Sequence, residues 1–423
     1  MLDINFIRQN PEIVKKGIKK KNYAPSLVDE FLTIDEEWRK LTEETDGLRS
    51  QQKKLSEERK TGPEHAEWLE EAKVLKEKIQ SLEKGLRFAE EKRKQILNKF
   101  PNLPFEDVPV GEDDSENVVL KTVGDLPKFD FQPKDYMELG QKLDIVDTET
   151  ASKTSGSRFG YLKGEAAMLE FALVKLAMEM AGKHGFIPIV PPVMIKSEMM
   201  KAMGYVDRHE DQEETYFLDK DDLYLVGTSE QSIGPMHGGE IFDEKDLPKR
   251  YVAFSTCFRR EAGSYGKDTK GILRVHQFDK IEMFSFCNPE NSKQEHELIL
   301  SIEEELMQTL KLPYHVLNIC TGDLGSPAAA KYDIETWIPS ENKYRETHST
   351  SNCTDFQARR LNIRCKSTIR NSQSTNRFIH TLNGTAFAIG RMIIAIIENY
   401  QQKDGSILVP EVLRGYMGVE KIG

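Results

Sequence analysis

The sequence predicts an α+β protein: a mostly antiparallel sheet with flanking helices, preceded by a long antiparallel helical hairpin. Three observations carry that expectation. Two apolar stripes with alternating four- and three-residue spacing cover 27–55 and 68–100, broken at Thr61-Gly62-Pro63. After Gly164, short apolar runs alternate with turn residues, and hairpins recur more often than a parallel βαβ fold would show. Two apolar runs, 251–258 and 281–286, flank a polar Gly-rich loop and read as two strands of one hairpin.

In chain order, residues 1–25 read as one short helix closed by Pro25. The first stripe then runs through Leu27, Phe31, Ile34, Trp38, Leu41, Thr45, Leu48, Gln52 and Leu55. The second runs through Trp68, Ala72, Leu75, Ile79, Leu82, Leu86, Ala89, Arg93, Ile96 and Phe100. Such a heptad stripe needs two helices packed along one seam, and the Gly-Pro turn makes them antiparallel. Each has about 34 residues, which gives a reach of about 50 Å at about 1.5 Å per residue. The arm either dimerises as a coiled coil or reaches a large partner, and the pattern leaves both open. Arg49, Lys53, Lys54, Arg59, Lys60, Lys73, Lys76 and Lys78 are its candidate phosphate contacts. The prolines of PNLPFEDVP end the second helix. The expected organisation is an N-terminal domain over 1–104, a polar linker over 105–134 and a catalytic domain over 135–423. Within the last, helices are expected over 165–183, 294–311 and 386–399. Extended segments are expected over 185–193, 222–226, 314–319, 328–338 and 344–349.

Length and composition narrow the class. A chain of 423 residues, 38% hydrophobic and 30% charged, suits two or three domains with buried cores. A net charge of −11 argues against coating nucleic acid non-specifically, although Lys15, Lys16, Lys19, Lys20 and Lys21 form a local basic patch. The five cysteines show no CxxC and no zinc spacing, so reduced thiols in a cytoplasmic protein are expected. Asp3 and Asn5 stand where a signal peptide needs a basic start and an apolar core, and no apolar run approaches a membrane span.

The hairpin is the most chemically loaded segment. Its strand ends carry Arg259, Glu261, Phe278 and Glu282, and its loop carries Lys267, Lys270 and Arg274. Guanidinium groups fork onto phosphate oxygens and an aromatic face stacks on a base, so the set suits a nucleotide. Arg259 and Glu261, two apart, are expected on one strand face. Other polar residues at expected strand ends or helix starts are Thr228, Glu230, Glu346, Ser349, Asn383, Thr385 and Arg391. No nucleophile–base pair is present, and GSYGK is too short for a P-loop. Direct displacement at phosphorus, driven by positioning and charge neutralisation, is the expected chemistry.

Taken together, MLDINFIRQNP, the helical arm, HGFIPIVPP, FRRE with its loop, HQFDKIE, SNCTDFQARR, HTLNGT and Gly390-Arg391 resemble the seryl-tRNA synthetases of bacterial type, which are class II aminoacyl-tRNA synthetases. The resemblance runs end to end. It implies activation of L-serine by ATP, with Mg²⁺, and transfer to tRNA(Ser), with tRNA(Sec) as a second acceptor where the cell has one. It also implies a homodimer through the HGFIPIVPP segment. Arg259 would hold the α-phosphate and the serine carboxylate. Glu261 would accept from the adenine amino group, and Phe278 and Arg391 would cover its two faces. Glu346 and Ser349 would ligate the metal, with Arg260, Thr347 and His348 also at the nucleotide. Glu230, with Thr228 and Ser229, would receive the ammonium, and Glu282, Asn383 and Thr385 the hydroxyl end. Thr385 and His348 stand where the family usually has serine, Ser229 and Gln231 replace the usual Ala and Val, and His315 replaces a usual arginine. Two other readings stand beside this one: a diverged ligase that charges a non-tRNA acceptor, and a non-catalytic RNA-binding paralogue.

Overall fold

The computed structural model describes the chain apart from residues 59–60, 263–270 and 367–375 and the side chains at 209–210. Arg59, Lys60, Lys267 and Lys270 therefore lie outside the described residues. The chain forms two compact units, Met1–Pro101 and Asn102–Gly423.

The first unit is helical: α1 Ile4–Gln9, α2 Pro11–Lys20, α3 Ser26–Glu57 and α4 Glu64–Asn98. The single helix expected before Pro25 is two. Asp3 caps α1 by accepting from the Asn5 and Phe6 amides. Pro11 then opens α2, where its missing N–H costs nothing. Helices α3 and α4 form the antiparallel arm and bury Phe31, Ile34 and Thr45 against Leu75, Ile79, Ala89 and Ile96. The Trp68 indole donates to the Leu55 carbonyl at 2.8 Å near the turn. At the root, Asp35 is 1% exposed, accepts from Arg8 Nε at 2.8 Å and from Arg93 Nε at 2.7 Å. Burial works against its ionised form, but the two guanidinium groups hold its pKa below the ordinary carboxylate value. Arg93, which fills a position of the stripe, brings a charge to meet Asp35 and lies 4.2 Å from the Trp38 ring centroid.

The second unit is built on an eight-stranded sheet. Its strands are β1 Val118–Val123, β2 Ile187–Ile189, β3 Lys249–Phe258, β4 Gln277–Cys287, β5 Tyr314–Asn318, β6 Ala330–Ile338, β7 Lys343–Asn352 and β8 His380–Ala388. Their order is β1-β5-β6-β7-β8-β4-β3-β2. The pairs are antiparallel except β2 with β3, where Ile187 lies beside Tyr251 in a parallel pair. Two expectations change. The stretch 105–134, expected as a linker, carries β1, which pairs with β5. The segment 386–388, expected as helix, ends β8, and the helix α7 Ile389–Asn399 starts directly after it.

Helices α5 Glu165–Lys183, α6 Ser292–Thr309 and α7 share one core with the sheet. Leu169, Leu173 and Leu176, Ile299, Ile302 and Leu306, and Ile393 and Ile396 pack with Ile281, Met283 and Leu382. Strand alternation then decides where function can lie. Ile281 and Met283 point to the helices, whereas Lys280 and Glu282 open onto a cavity on the opposite face. Among the described residues, no helix is long and apolar enough to cross a membrane.

Candidate active site

The cavity has a volume of about 420 Å³ and lies over the strands β4, β6, β7 and β8. Phe278, Lys280 and Glu282, two apart on β4, line it from one face of one strand. Asn383 and Thr385 line it from β8. Glu282 and Thr385 are direct cross-strand partners, and the Thr385 hydroxyl donates to Glu282 Oε2 at 3.2 Å. Lys280 Nζ lies 2.6 Å from the same oxygen. Asn383 Nδ2 lies 3.9 Å from Cys353 Sγ.

Glu230 enters from the start of the short helix Glu230–Ile233 and is 4% exposed. Its amide donates to Thr228 Oγ1 at 3.4 Å, and its carboxylate accepts from the Tyr205 hydroxyl. Burial first, and the nearby Glu282 charge second, push its pKa up to about 7. Gln231 is structural: its side-chain carbonyl accepts from the Gly227 amide at 2.9 Å. Ser229 is fully buried, and its hydroxyl does not reach the cavity.

The other end of the cavity is cationic and more open. Arg259 follows the last residue of β3, and its guanidinium carbon lies 5.5 Å from the Phe278 ring centroid. Its Nε donates to the Gly227 carbonyl at 3.3 Å. Glu261 also lines the cavity, but not by strand alternation: β3 ends at Phe258 and Glu261 has φ +52°. That left-handed turn is held by Arg158 Nη1, which donates to the Glu261 carbonyl at 2.9 Å. Arg274 lines the cavity too, with Nη1 3.8 Å from the Glu261 carboxylate. Arg260 turns elsewhere: its Nε donates to the Thr215 carbonyl at 2.8 Å, and its guanidinium stacks 4.6 Å from the Tyr216 ring.

Glu346 and Ser349 are three apart, so plain alternation would put them on opposite faces of β7. A bulge resolves this. Ile334 of β6 pairs with His348 and Glu335 pairs with Glu346, leaving Thr347 as the extra residue. Glu346, Thr347 and Ser349 then all line the cavity. The bulge sends His348 inward. It is 1% exposed, its Nδ1 lies 2.8 Å from Thr347 Oγ1, and its ring packs edge-on against Phe387. Burial depresses its pKa to about 3, and His348 does not line the cavity. Arg391, in the first turn of α7, donates to the Glu346 carbonyl at 2.8 Å and lies 3.3 Å from its carboxylate. Desolvation opposes ionisation of Glu346, but Arg391, Lys331 and Arg259 outweigh it and hold its pKa low. His315 lies outside the cavity, stacked 3.5 Å from Tyr344.

Among the cavity residues with no expected role are Tyr205, Lys280 and Lys331. Lys280 was signalled by its position between Phe278 and Glu282 on an alternating strand. Lys331 sits on β6 and pairs with Asp333 at 3.0 Å. Tyr205 follows a short helix in an aperiodic stretch that gives no signal.

Comparisons with known proteins agree with this geometry. Residues 1–104 match the profile of the seryl-tRNA synthetase N-terminal domain, and residues 215–400 match the class II tRNA synthetase core domain of the G, H, P, S and T enzymes. A serine–tRNA ligase of Acidothermus cellulolyticus is 45% identical over 422 residues, covering 99% of both chains. This chain belongs to the seryl-tRNA synthetase family. A second relative, the serine–tRNA ligase of Dictyoglomus turgidum, is 44% identical over 100% of this chain and 99% of its own. The seryl-tRNA synthetase of Pyrococcus horikoshii, solved with ATP, superposes with a TM-score of 0.93 at 40% identity, covering 100% of this chain and 99% of its own. The cytoplasmic enzyme of Naegleria fowleri, solved with AMP, gives 0.89 at 34% identity, covering 100% and 98%. The fold is thus a class II synthetase core with the long-helix arm of seryl-tRNA synthetases.

Proposed function

We propose that this chain activates L-serine with ATP and transfers it to tRNA(Ser). The serine carboxylate attacks the α-phosphorus, the bond to the β-phosphate oxygen breaks, and pyrophosphate leaves with that electron pair. The 3′-terminal hydroxyl of the tRNA then attacks the seryl carbonyl, and AMP leaves. One observation carries the choice of serine. At the closed end of the cavity, Glu230 stands ready for an ammonium, and the Glu282–Thr385 pair offers acceptor oxygens for a hydroxyl. A side chain lacking that hydroxyl leaves those buried groups unmatched, which disfavours alanine strongly.

The remaining roles are those the family resemblance implies, and the positions of these side chains around the cavity support them. Arg259 holds the α-phosphate and the serine carboxylate and neutralises the charge that grows between them. Phe278 stacks on adenine, Arg391 covers its other face, and Glu261 accepts from its amino group. Glu346 and Ser349, brought to one face by the bulge, fit Mg²⁺: both offer hard oxygen, and Glu346 is held ionised. When bound, the ion supplies charge neutralisation across the phosphates. Thr347 lies beside these ligands. The arm α3–α4 reads as the tRNA-binding element. Phe171, Ile187 and Val190 are apolar yet 62%, 55% and 79% exposed, as residues covered by a second subunit of a homodimer would be. The five buried cysteines, none of them in a disulfide, suit a cytoplasmic setting.

The arm weighs against a ligase with a non-tRNA acceptor, and the presence of Arg259, Glu261, Glu282, Glu346 and Arg391 in the cavity weighs against a dead paralogue. The test is serine-dependent exchange of labelled pyrophosphate into ATP, followed by charging of tRNA(Ser). Both activities are expected. Exchange without charging supports the non-tRNA ligase, and neither activity supports the paralogue.

A further inference from the structure

Tyr205 reaches the most selective part of the cavity on a segment built to hold it there. The helix Ser197–Met203 ends at Gly204, whose left-handed backbone, φ +89°, turns the chain sharply. The left-handed backbone favours glycine there, and a Cβ would in addition sit tightly, 3.2 Å from the Phe356 ring. Beyond it, Tyr205 lines the cavity, Val206 enters a buried apolar cluster, and Asp207 turns back to Arg360. Arg360 Nη1 donates to Asp207 Oδ2 at 2.5 Å and to the Lys201 carbonyl at 2.9 Å. The Arg360 and Asp207 side chains are only 3% and 7% exposed. Gln357, on the same helix Phe356–Leu361, has its amide nitrogen 3.5 Å from the Met203 carbonyl. The QARR part of SNCTDFQARR, which has no role in the proposed reaction, thus grips the chain before and after Tyr205.

We propose that Tyr205 is a positioning residue for the ammonium subsite: its hydroxyl fixes Glu230 in the orientation that receives the substrate amino group, and the Asp207–Arg360 pair holds Tyr205 in place. The inference rests on Glu230 as the ammonium receptor. The charged and titratable groups acting on Glu230 are Tyr205, Glu282, Lys280 and Arg259. Lys280 is already engaged with Glu282, and Arg259 stands at the phosphate end. A further cation beside Glu230 would repel the substrate ammonium. A neutral phenol avoids that repulsion: it occupies Oε1, leaves the rest of the carboxylate for the ligand, and favours the ionised form by donating to it.

The test is Tyr205→Phe in the full-length protein, with pyrophosphate exchange measured against pH and thermal unfolding measured alongside. The KM for serine should rise about 10-fold, the loss expected when a hydrogen bond to a charged group is removed. The KM for ATP and the Tm should stay put. The acid limb of kcat/KM for serine should move to higher pH, which a purely structural role would not produce. Arg360→Lys, which keeps the charge but loses the fork, should move the serine KM the same way by less. An unchanged serine KM with an unmoved acid limb in Tyr205→Phe would overturn the inference, as would equal losses for serine, ATP and Tm. No effect of Arg360→Lys would overturn the clamp. Wild-type protein without serine-dependent exchange would overturn the reading of Glu230 itself, a result distinct from an active wild type with an indifferent Tyr205→Phe.

Discussion

At the amino-acid end of the cavity, Glu230, Glu282, Lys280 and Thr385 are 4%, 1%, 7% and 7% exposed, and each already has a polar partner. At the nucleotide end, the side chains of Glu346 and Arg391 are 47% and 29% exposed and lean on each other. The difference separates selection from catalysis. Buried groups that are preset for one hydrogen-bond pattern discriminate, because a wrong ligand leaves them unsatisfied in a low-dielectric site. The more exposed charges are partly screened by water, although the cations around Glu346 already hold it ionised. They gain once phosphates displace that water.

The sharpest way to break the comparison is at Arg259, the residue both substrates share. Arg259→Ala should lower kcat for exchange about 10³-fold, the loss typical of a charge that acts in the transition state. A change confined to either KM would mean that Arg259 only binds. Next comes Glu282→Ala, which should raise the serine KM about 100-fold while leaving ATP binding within about 3-fold, since an acceptor at the closed end is lost. Equal losses for both substrates would erase the distinction between the ends.

A pH series gives the third effect. Glu230 is pushed up to about 7 by burial and by Glu282, so it gains a proton as pH falls through that value. The protonated acid no longer pairs with an ammonium. The serine KM should therefore rise about 10-fold per pH unit below the pKa, while the ATP KM stays flat from that cause, because Glu346 is held ionised. Parallel curves for the two substrates would count against the assignment.

The smallest expected effect on the cavity comes from the other unit. Asp35→Ala leaves Arg8 and Arg93 without their shared carboxylate, which should destabilise the N-terminal unit by about 3 kcal/mol, as for a broken buried pair. Unfolding should report this loss while pyrophosphate exchange holds. Loss of exchange would show that the units do not act separately.

The parts legible in the sequence were those governed by a period or a dense motif. The heptad stripe foretold α3 and α4, and the two apolar runs foretold the hairpin of β3 and β4. Strand β4 starts earlier than its apolar run, at Gln277, and so carries Phe278 and Lys280 as well. What stayed hidden breaks a period. The bulge at Thr347 turns Glu346 and Ser349 to one face and sends His348 into the core. The left-handed Glu261 reaches the cavity from beyond the end of β3. Arg260 and Ser229 are neighbours in sequence of site residues, yet their side chains turn away. Asp35 and Tyr205 depend on partners far along the chain, Arg93 and Glu230, that no local pattern names.

The most direct measurement compares serine and alanine as substrates for pyrophosphate exchange by the wild-type protein. A site that reads the hydroxyl through Glu282 and Thr385 should favour serine by about 10⁴ in kcat/KM. Alanine within tenfold of serine would contradict the account.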